Sequence, residues 1–255
     1  VPFPAHLQDL TAEELIAWAL RSYGSSFCVC TSFQDEGMVL VDMAARIDSS
    51  VSVMTLDTGR LPKETYEMIE RVRHRYGLDV KLISPDAEEL CRMTSLFGPN
   101  LFYRGVAERR LCCHIRKVRP LERALAGLGA VAFGVRREQS DTRAAIAKVV
   151  EEEGGRLRLH PLADWTADQV LDYLIAHDVP RHPLYERGYR SIGCDPCTRP
   201  VQPGEHDRAG RWWWELGAAK ECGLHQMPDG RLRREMDVLL EQVLEATPAA
   251  AHRLH

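Results

Sequence analysis

The stretch Phe27-Cys28-Val29-Cys30-Thr31-Ser32-Phe33-Gln34-Asp35-Glu36-Gly37 decides the fold. Phe27 to Thr31 reads as a short buried strand, and a helical pattern from about Glu36 to Ile47 follows almost at once. A strand that runs straight into a helix is half of a β-α-β unit, and the same alternation recurs along the chain. Upstream, Thr11-Ala12-Glu13-Glu14 predicts a capping box on an amphipathic helix ending near Tyr23. Downstream, Val51 to Leu56 predicts a strand, Pro62 sits at the N1 position of a helix to about Tyr76, and Val80 to Ile83 predicts another strand. Ala130 to Phe133 repeats the pattern, Leu157 to Leu159 reads as an edge strand, and Thr166-Ala167-Asp168-Gln169 caps a helix through about His177. Strands separated by helix-length segments predict an α/β fold with a doubly wound, mainly parallel sheet. We expect it to occupy residues 1–190, with a C-terminal segment, 191–255, appended.

Sites in such sheets lie beyond the carboxyl ends of the strands. That singles out three loops: Thr31 to Gly37, Asp57-Thr58-Gly59-Arg60, and Gly134 to Ser140. The first enters a helix, so its hydroxyl and amide groups and the helix N-terminus could hold a phosphate-like anion. It lacks the glycines and lysine of a Walker loop, and an ordinary helix cap would look similar. Asp57-Thr58-Gly59 alone is an unexceptional turn. In the third loop Arg136, Arg137 and Arg143 crowd the end of a buried strand, against the bland alternative of a solvated basic face.

The cysteines carry a second signal. Cys112-Cys113 and Cys194-x-x-Cys197 offer four thiols that suit a metal centre, and Cys222 stands apart. A structural zinc ribbon brings two Cys-x-x-Cys knuckles, and only one is present. Adjacent cysteines ligate one centre only where the backbone turns sharply, and an iron–sulfur cube, which offers them separate irons, accommodates such a pair more easily than one ion. We therefore expect a [4Fe-4S] cluster on Cys112, Cys113, Cys194 and Cys197, with zinc and unligated thiols as the alternatives.

Composition agrees with an intracellular enzyme. The opening Val1-Pro2-Phe3-Pro4-Ala5-His6 lacks a basic and then apolar leader pattern, and no run of about 18 apolar residues occurs, so we expect a cytoplasmic protein with no membrane partner. Eight cysteines in a reducing compartment argue for metal or redox work rather than disulfides. A formal net charge of −4 gives no support for nucleic-acid binding, so any anionic ligand must be met by locally clustered Arg and Lys.

Together these pieces resemble the assimilatory adenylyl-sulfate and phosphoadenylyl-sulfate reductases, of the adenine-nucleotide alpha-hydrolase-like group. The resemblance spans nearly the whole chain: Ser32-Phe33, Leu56-Asp57-Thr58-Gly59-Arg60, Cys112-Cys113-His114-Ile115-Arg116-Lys117, Gly134 to Ser140, the Cys194 knuckle, Arg208-Ala209-Gly210-Arg211-Trp212-Trp213-Trp214 and Glu221-Cys222-Gly223-Leu224-His225. The paired cysteines resemble the iron–sulfur branch, which mostly uses adenosine 5′-phosphosulfate (APS). The first loop departs from the commoner form, with Asp35 where a small residue often sits and Gly37 where an acid often sits. The resemblance implies substrate contacts at Ser32, Gln34, Leu56, Asp57, Gly134, Arg136, Arg143, Arg208 and Arg211. It also implies that Lys117 assists a nucleophilic Cys222 carried on a C-terminal cluster-binding and catalytic arm, with thioredoxin as reductant. Cys222 would attack the sulfur, expel AMP and carry the sulfonate until thioredoxin releases sulfite. Lys220 and His225 are placed to lower its pKa. The rivals are a reductase of the 3′-phosphorylated nucleotide (PAPS) and, from another class, a nucleotide-binding regulatory module with a zinc site.

The remaining features read blandly. Cys28 and Cys30 are small core side chains and Cys91 a helix-face packing residue. Three consecutive tryptophans on a helix would face different directions, so at least one is plain packing. His160, His177 and His182 lack ligand-like spacing. The segment from Arg231 to Glu245 predicts an amphipathic helix without chemistry, suited to docking or homo-oligomer contact.

Overall fold

A computed structural model describes residues 4–215 and 230–246. Its centre is a six-stranded sheet among the described residues: β1 (Phe27–Cys30), β2 (Ser52–Leu56), β3 (Val80–Ile83), β4 (Ala130–Phe133), β5 (Val149–Glu151) and β6 (Leu157–Leu159). The order is β3-β2-β1-β4-β6-β5, parallel except for β5, which runs antiparallel to β6. The sheet is doubly wound, as expected, and reverses its direction of growth between β1 and β4. That reversal leaves a crevice at the carboxyl edge, where ligands of this architecture bind.

The helices begin where the sequence caps them. In α1 (Ala12–Tyr23) Thr11 and Glu14 form the reciprocal capping box, and Thr166 and Gln169 do the same for α7 (Ala167–Ala176). The helix α2 (Asp35–Ile47) starts directly beyond the first loop, and α3 (Lys63–Tyr76) starts after Pro62, which is therefore the cap residue and not N1. Leu157–Leu159 is internal, because Val149–Glu151 pairs on its outer side; a three-residue strand after an Arg-rich loop carries too little alternation to stand out.

The main core packs α1, α2, α3 and α7 on the sheet through Leu15, Ile16, Val29, Leu40, Met68 and Leu174. Within it the buried carboxylate of Asp42 accepts from Tyr76 Oη (2.9 Å) and Tyr173 Oη (2.8 Å), tying three helices together. A second core lies beside it. Here α4 (Ala87–Phe97), α5 (Val106–Cys113) and α8 (Gly230–Glu245) enclose Met93, Leu101, Phe102, Leu111, Trp212 and Val243. The expected amphipathic C-terminal helix is thus present, with its apolar side covered by α4 and α5 instead of offered to a partner. Cys194 and Cys197 are buried in the same core, so the chain from 194 to 215 is folded in here, and the anticipated cluster-binding arm is not seen among the described residues. Cys222 lies outside them.

Between α5 and α6 (Arg119–Leu125) the helix widens into a π turn, His114–Val118. Such a bulge re-aims side chains without ending the helix. It turns Arg116 onto the Asp57-Thr58-Gly59 turn, donating to the Thr58 carbonyl at 2.6 Å.

Candidate active site

The crevice holds a cavity of about 530 Å³. Of the residues singled out in the sequence, Ser32, Gln34, Leu56, Gly134, Arg136, Arg143, Arg208, Arg211 and Lys117 line it. Asp57 is not among the described lining residues; its carboxylate accepts from Tyr66 Oη at 2.7 Å and Gly59 N–H at 2.9 Å, pinning the turn after β2.

The first loop is built around strain and a close approach. Phe33, fully buried, adopts a positive φ of 57° that its neighbours must enforce, and its N–H donates to Thr31 Oγ1 at 2.9 Å. A Cβ at Gly37 would collide with that same hydroxyl. Ser32 Oγ accepts from Gln34 Nε2 (2.9 Å), while Gln34 Oε1 accepts from Ile192 N–H (2.8 Å), joining the loop to the segment before the cysteine knuckle. Gly134 packs on the head of α2: a Cβ there would lie 2.8 Å from Gly37 N and 2.9 Å from Glu36 C. The glycine lets the β4 loop touch the α2 N-terminus, where the Asp35 N–H donates to Tyr185 Oη at 3.3 Å and the helix dipole favours an anion.

Charge in the cavity is divided. Arg136 donates to Glu36 Oε1 at 2.9 Å and contacts Glu138 at 3.3 Å, so its guanidinium ties β4 to α2. Asp35, the departure noted in the first loop, pairs with Arg181 at 2.7 Å; burial nevertheless holds its pKa above the usual carboxylate range, with Arg181 opposing. Arg143 donates to Gln139 Oε1 at 2.5 Å. Arg211, only 7% exposed, reaches Ser191 Oγ at 3.4 Å and the Ile192 carbonyl at 3.5 Å, and its Nε has no hydrogen-bond partner among the described residues. Arg181, Tyr185, Arg190 and Ser191 also line the cavity; they sit in loops and in the short 3-10 helix Pro183–Arg187, too brief to show periodicity in the sequence.

The four paired cysteines face a second, far smaller void of about 10 Å³, also lined by Arg109, Arg116 and Lys117. Lys117 borders both spaces. The expectation of a [4Fe-4S] cluster on Cys112, Cys113, Cys194 and Cys197 does not hold in this structure, nor does the single-ion alternative. Among the described residues no group of three or more His, Cys, Asp or Glu could hold a metal ion. The physical reason is room: all four thiols border one void, and its volume of about 10 Å³ would admit about one water. The thiols also differ from one another. Burial pushes Cys112 and Cys197 up, while for Cys194 burial is outweighed by Lys117, by the Thr58 hydroxyl 3.3 Å from its sulfur, and by Arg211 and Arg116, which together hold it down. The assignment to an iron–sulfur branch therefore has no support in the described side chains.

Other readings change in detail. Cys28 is buried and Cys30 half-buried, with burial pushing their thiols up to about 11 and about 12. Cys91 is exposed and not a packing residue. The three tryptophans leave a turn instead of a helix: Trp212 is 1% exposed and Trp213 47%.

Residues 26–200 match the family model described as the phosphoadenosine phosphosulfate reductase domain. The chain belongs to the phosphoadenosine phosphosulfate reductase family. Among its relatives, an adenosine 5′-phosphosulfate reductase of Burkholderia cepacia is 49% identical over 76% of this chain and 78% of its own length. One from Allochromatium vinosum is 43% identical over 86% of each chain. The crystal structure of phosphoadenylyl-sulfate (PAPS) reductase from Candida auris, a phosphate complex, superposes with a TM-score of 0.64 at 26% identity, covering 78% of this chain and 99% of that one. Candida glabrata FMN adenylyltransferase shares the fold alone, with a TM-score of 0.54 at 14% identity. Lys117, Arg211 and the N-terminus of α2 share this crevice. Among the described residues no helix is long and apolar enough to cross a membrane.

Proposed function

We propose that this chain reduces APS to sulfite and AMP, as an oxidoreductase of sulfate assimilation. The observation that supports it most is the 40–49% identity, over three quarters or more of the chain, to relatives that bear the name adenosine 5′-phosphosulfate reductase. The cavity is consistent with that substrate, because its cations face a space beside the α2 N-terminus.

In this reading Cys222 is the nucleophile and thioredoxin the reductant. The Cys222 thiolate attacks the sulfonyl sulfur, the bond from sulfur to the phosphate oxygen breaks, and AMP leaves with that electron pair. A thioredoxin thiolate then attacks Cys222 Sγ, sulfite departs, and the second thioredoxin thiol closes its own disulfide. Two electrons reach sulfur from the dithiol, so no other electron source is needed. Lys117 stabilises the negative charge that moves onto the leaving phosphate and the sulfonate, and Arg211 binds the nucleotide's anionic end equally before and during the reaction. We assign the protein to the cytoplasm, where reduced thioredoxin is available.

The test is a product assay with APS or PAPS and reduced thioredoxin. Sulfite and AMP from APS, with PAPS a much poorer substrate, are expected. Preference for PAPS would favour the rival reductase, and binding without turnover the regulatory module.

A further inference from the structure

Arg211 is buried in the cavity wall, yet its hydrogen bonds there are long, at 3.4 and 3.5 Å. Its position comes from packing. Its guanidinium carbon lies 4.6 Å from the ring centroid of Trp212 and fills the space that a side chain on Gly193 would take, 2.6 Å from an ideal Cβ there. Trp212 is itself held in an uncommon backbone state, with φ of 40° and 1% exposure. Its backbone N–H donates to the Cys197 carbonyl at 3.1 Å. Against the same indole lies a second guanidinium, that of Arg109, 4.3 Å from the centroid.

Arg109 is fully buried on α5 and pairs with the buried Glu215 through two bonds, Nε to Oε1 at 2.6 Å and Nη2 to Oε2 at 3.1 Å. A buried, bidentate ion pair is rarely superior to apolar packing as a source of stability, which invites a specific role. It also joins α5 to the residue three places after Trp212, clamping the turn at both ends. We propose that Arg109, paired with Glu215, is a positioning residue that acts through Trp212 to hold the Arg211 guanidinium at the cavity wall. Arg109 faces the cysteine-lined void and does not line the main cavity among the described residues, so it touches no substrate. The proposal rests on the reading of the cavity as the APS site.

A double-mutant cycle tests it. Arg109→Ala alone strands the Glu215 carboxylate and risks the fold, so the pair is replaced together as Arg109→Met with Glu215→Met, which leaves apolar groups in an apolar core. This double variant should keep its melting temperature within a few degrees, raise the KM for APS roughly tenfold, the scale of a desolvated cation–π contact, and change kcat much less. In an Arg211→Ala background the same replacement should change KM less than about twofold, because coupled residues act once. Equal factors in both backgrounds would overturn the proposal. If the wild type neither binds nor turns over APS, the functional reading fails. The crystal structure of the Met pair then decides alone: a displaced Arg211 supports the clamp, and an unmoved Arg211 overturns it.

Discussion

Lys117 borders both the nucleotide-sized cavity and the thiol-lined void, and the π turn is what brings it there. Removing it takes a fixed cation from a place where charge moves. Lys117→Ala should therefore slow formation of the sulfonated enzyme by roughly 100-fold or more with little loss of stability, the scale of deleting one preorganised donor. Single-turnover AMP release measures this, and an unchanged rate would reduce Lys117 to a wall residue. His182 makes a different prediction. Burial lowers its pKa from 6.5 to about 4, and its ring bridges Thr65 Oγ1 (3.1 Å) and the Leu184 N–H (3.3 Å), a geometry that uses the neutral imidazole. Because the folded value lies below the unfolded one, its stabilisation is full above about pH 6.5 and is lost as pH falls towards 4. Wild type should lose more denaturation midpoint than His182→Gln between about pH 7.5 and about pH 4.5, and equal losses would show that the ring does not titrate there.

Among the elements, the β4 loop and the head of α2 make a close backbone approach at the site. Gly134→Ala would place a methyl 2.8 Å from the Gly37 nitrogen, and neither backbone can yield cheaply. A loss of about 1–3 kcal/mol is expected, accompanied by weaker nucleotide binding; calorimetric melting and AMP titration would detect both, and a variant equal to wild type would refute the close approach. The same region shows what the sequence reveals. Helices opened by Thr11 and Thr166 and strands such as Phe27–Cys30 were legible because capping chemistry and apolar runs are local. The outer strand Val149–Glu151 was not, since its pairing depends on a partner and not on its own pattern. Pro62 was read one position too far into α3 because N-cap and N1 both tolerate proline. At the site, arginines crowded after β4 announced a cationic wall, whereas Asp35 with Arg181 and Arg109 with Glu215 join residues 146 and 106 positions apart, beyond any local signal. The cysteine spacing suggests a metal centre and the fold does gather the four thiols, but spacing does not fix how much room is left between them, and the void they line is only about 10 Å³.

Across the described residues, the loops after β1 and β4 and the segments that carry Lys117 and Arg211 meet at one crevice. The proposed chemistry requires a nucleophile, and Cys222, outside the described residues, is proposed for that role. Cys222→Ser should retain nucleotide binding yet release no sulfite, since a serine hydroxyl is almost wholly protonated near neutral pH. The most direct measurement is mass spectrometry of the wild-type protein after incubation with APS and no thioredoxin. The peptide containing Cys222 should gain the mass of one sulfonate while one equivalent of AMP appears, and reduced thioredoxin should remove that mass as sulfite. AMP release with the adduct on another cysteine, or no adduct at all, would contradict the mechanism.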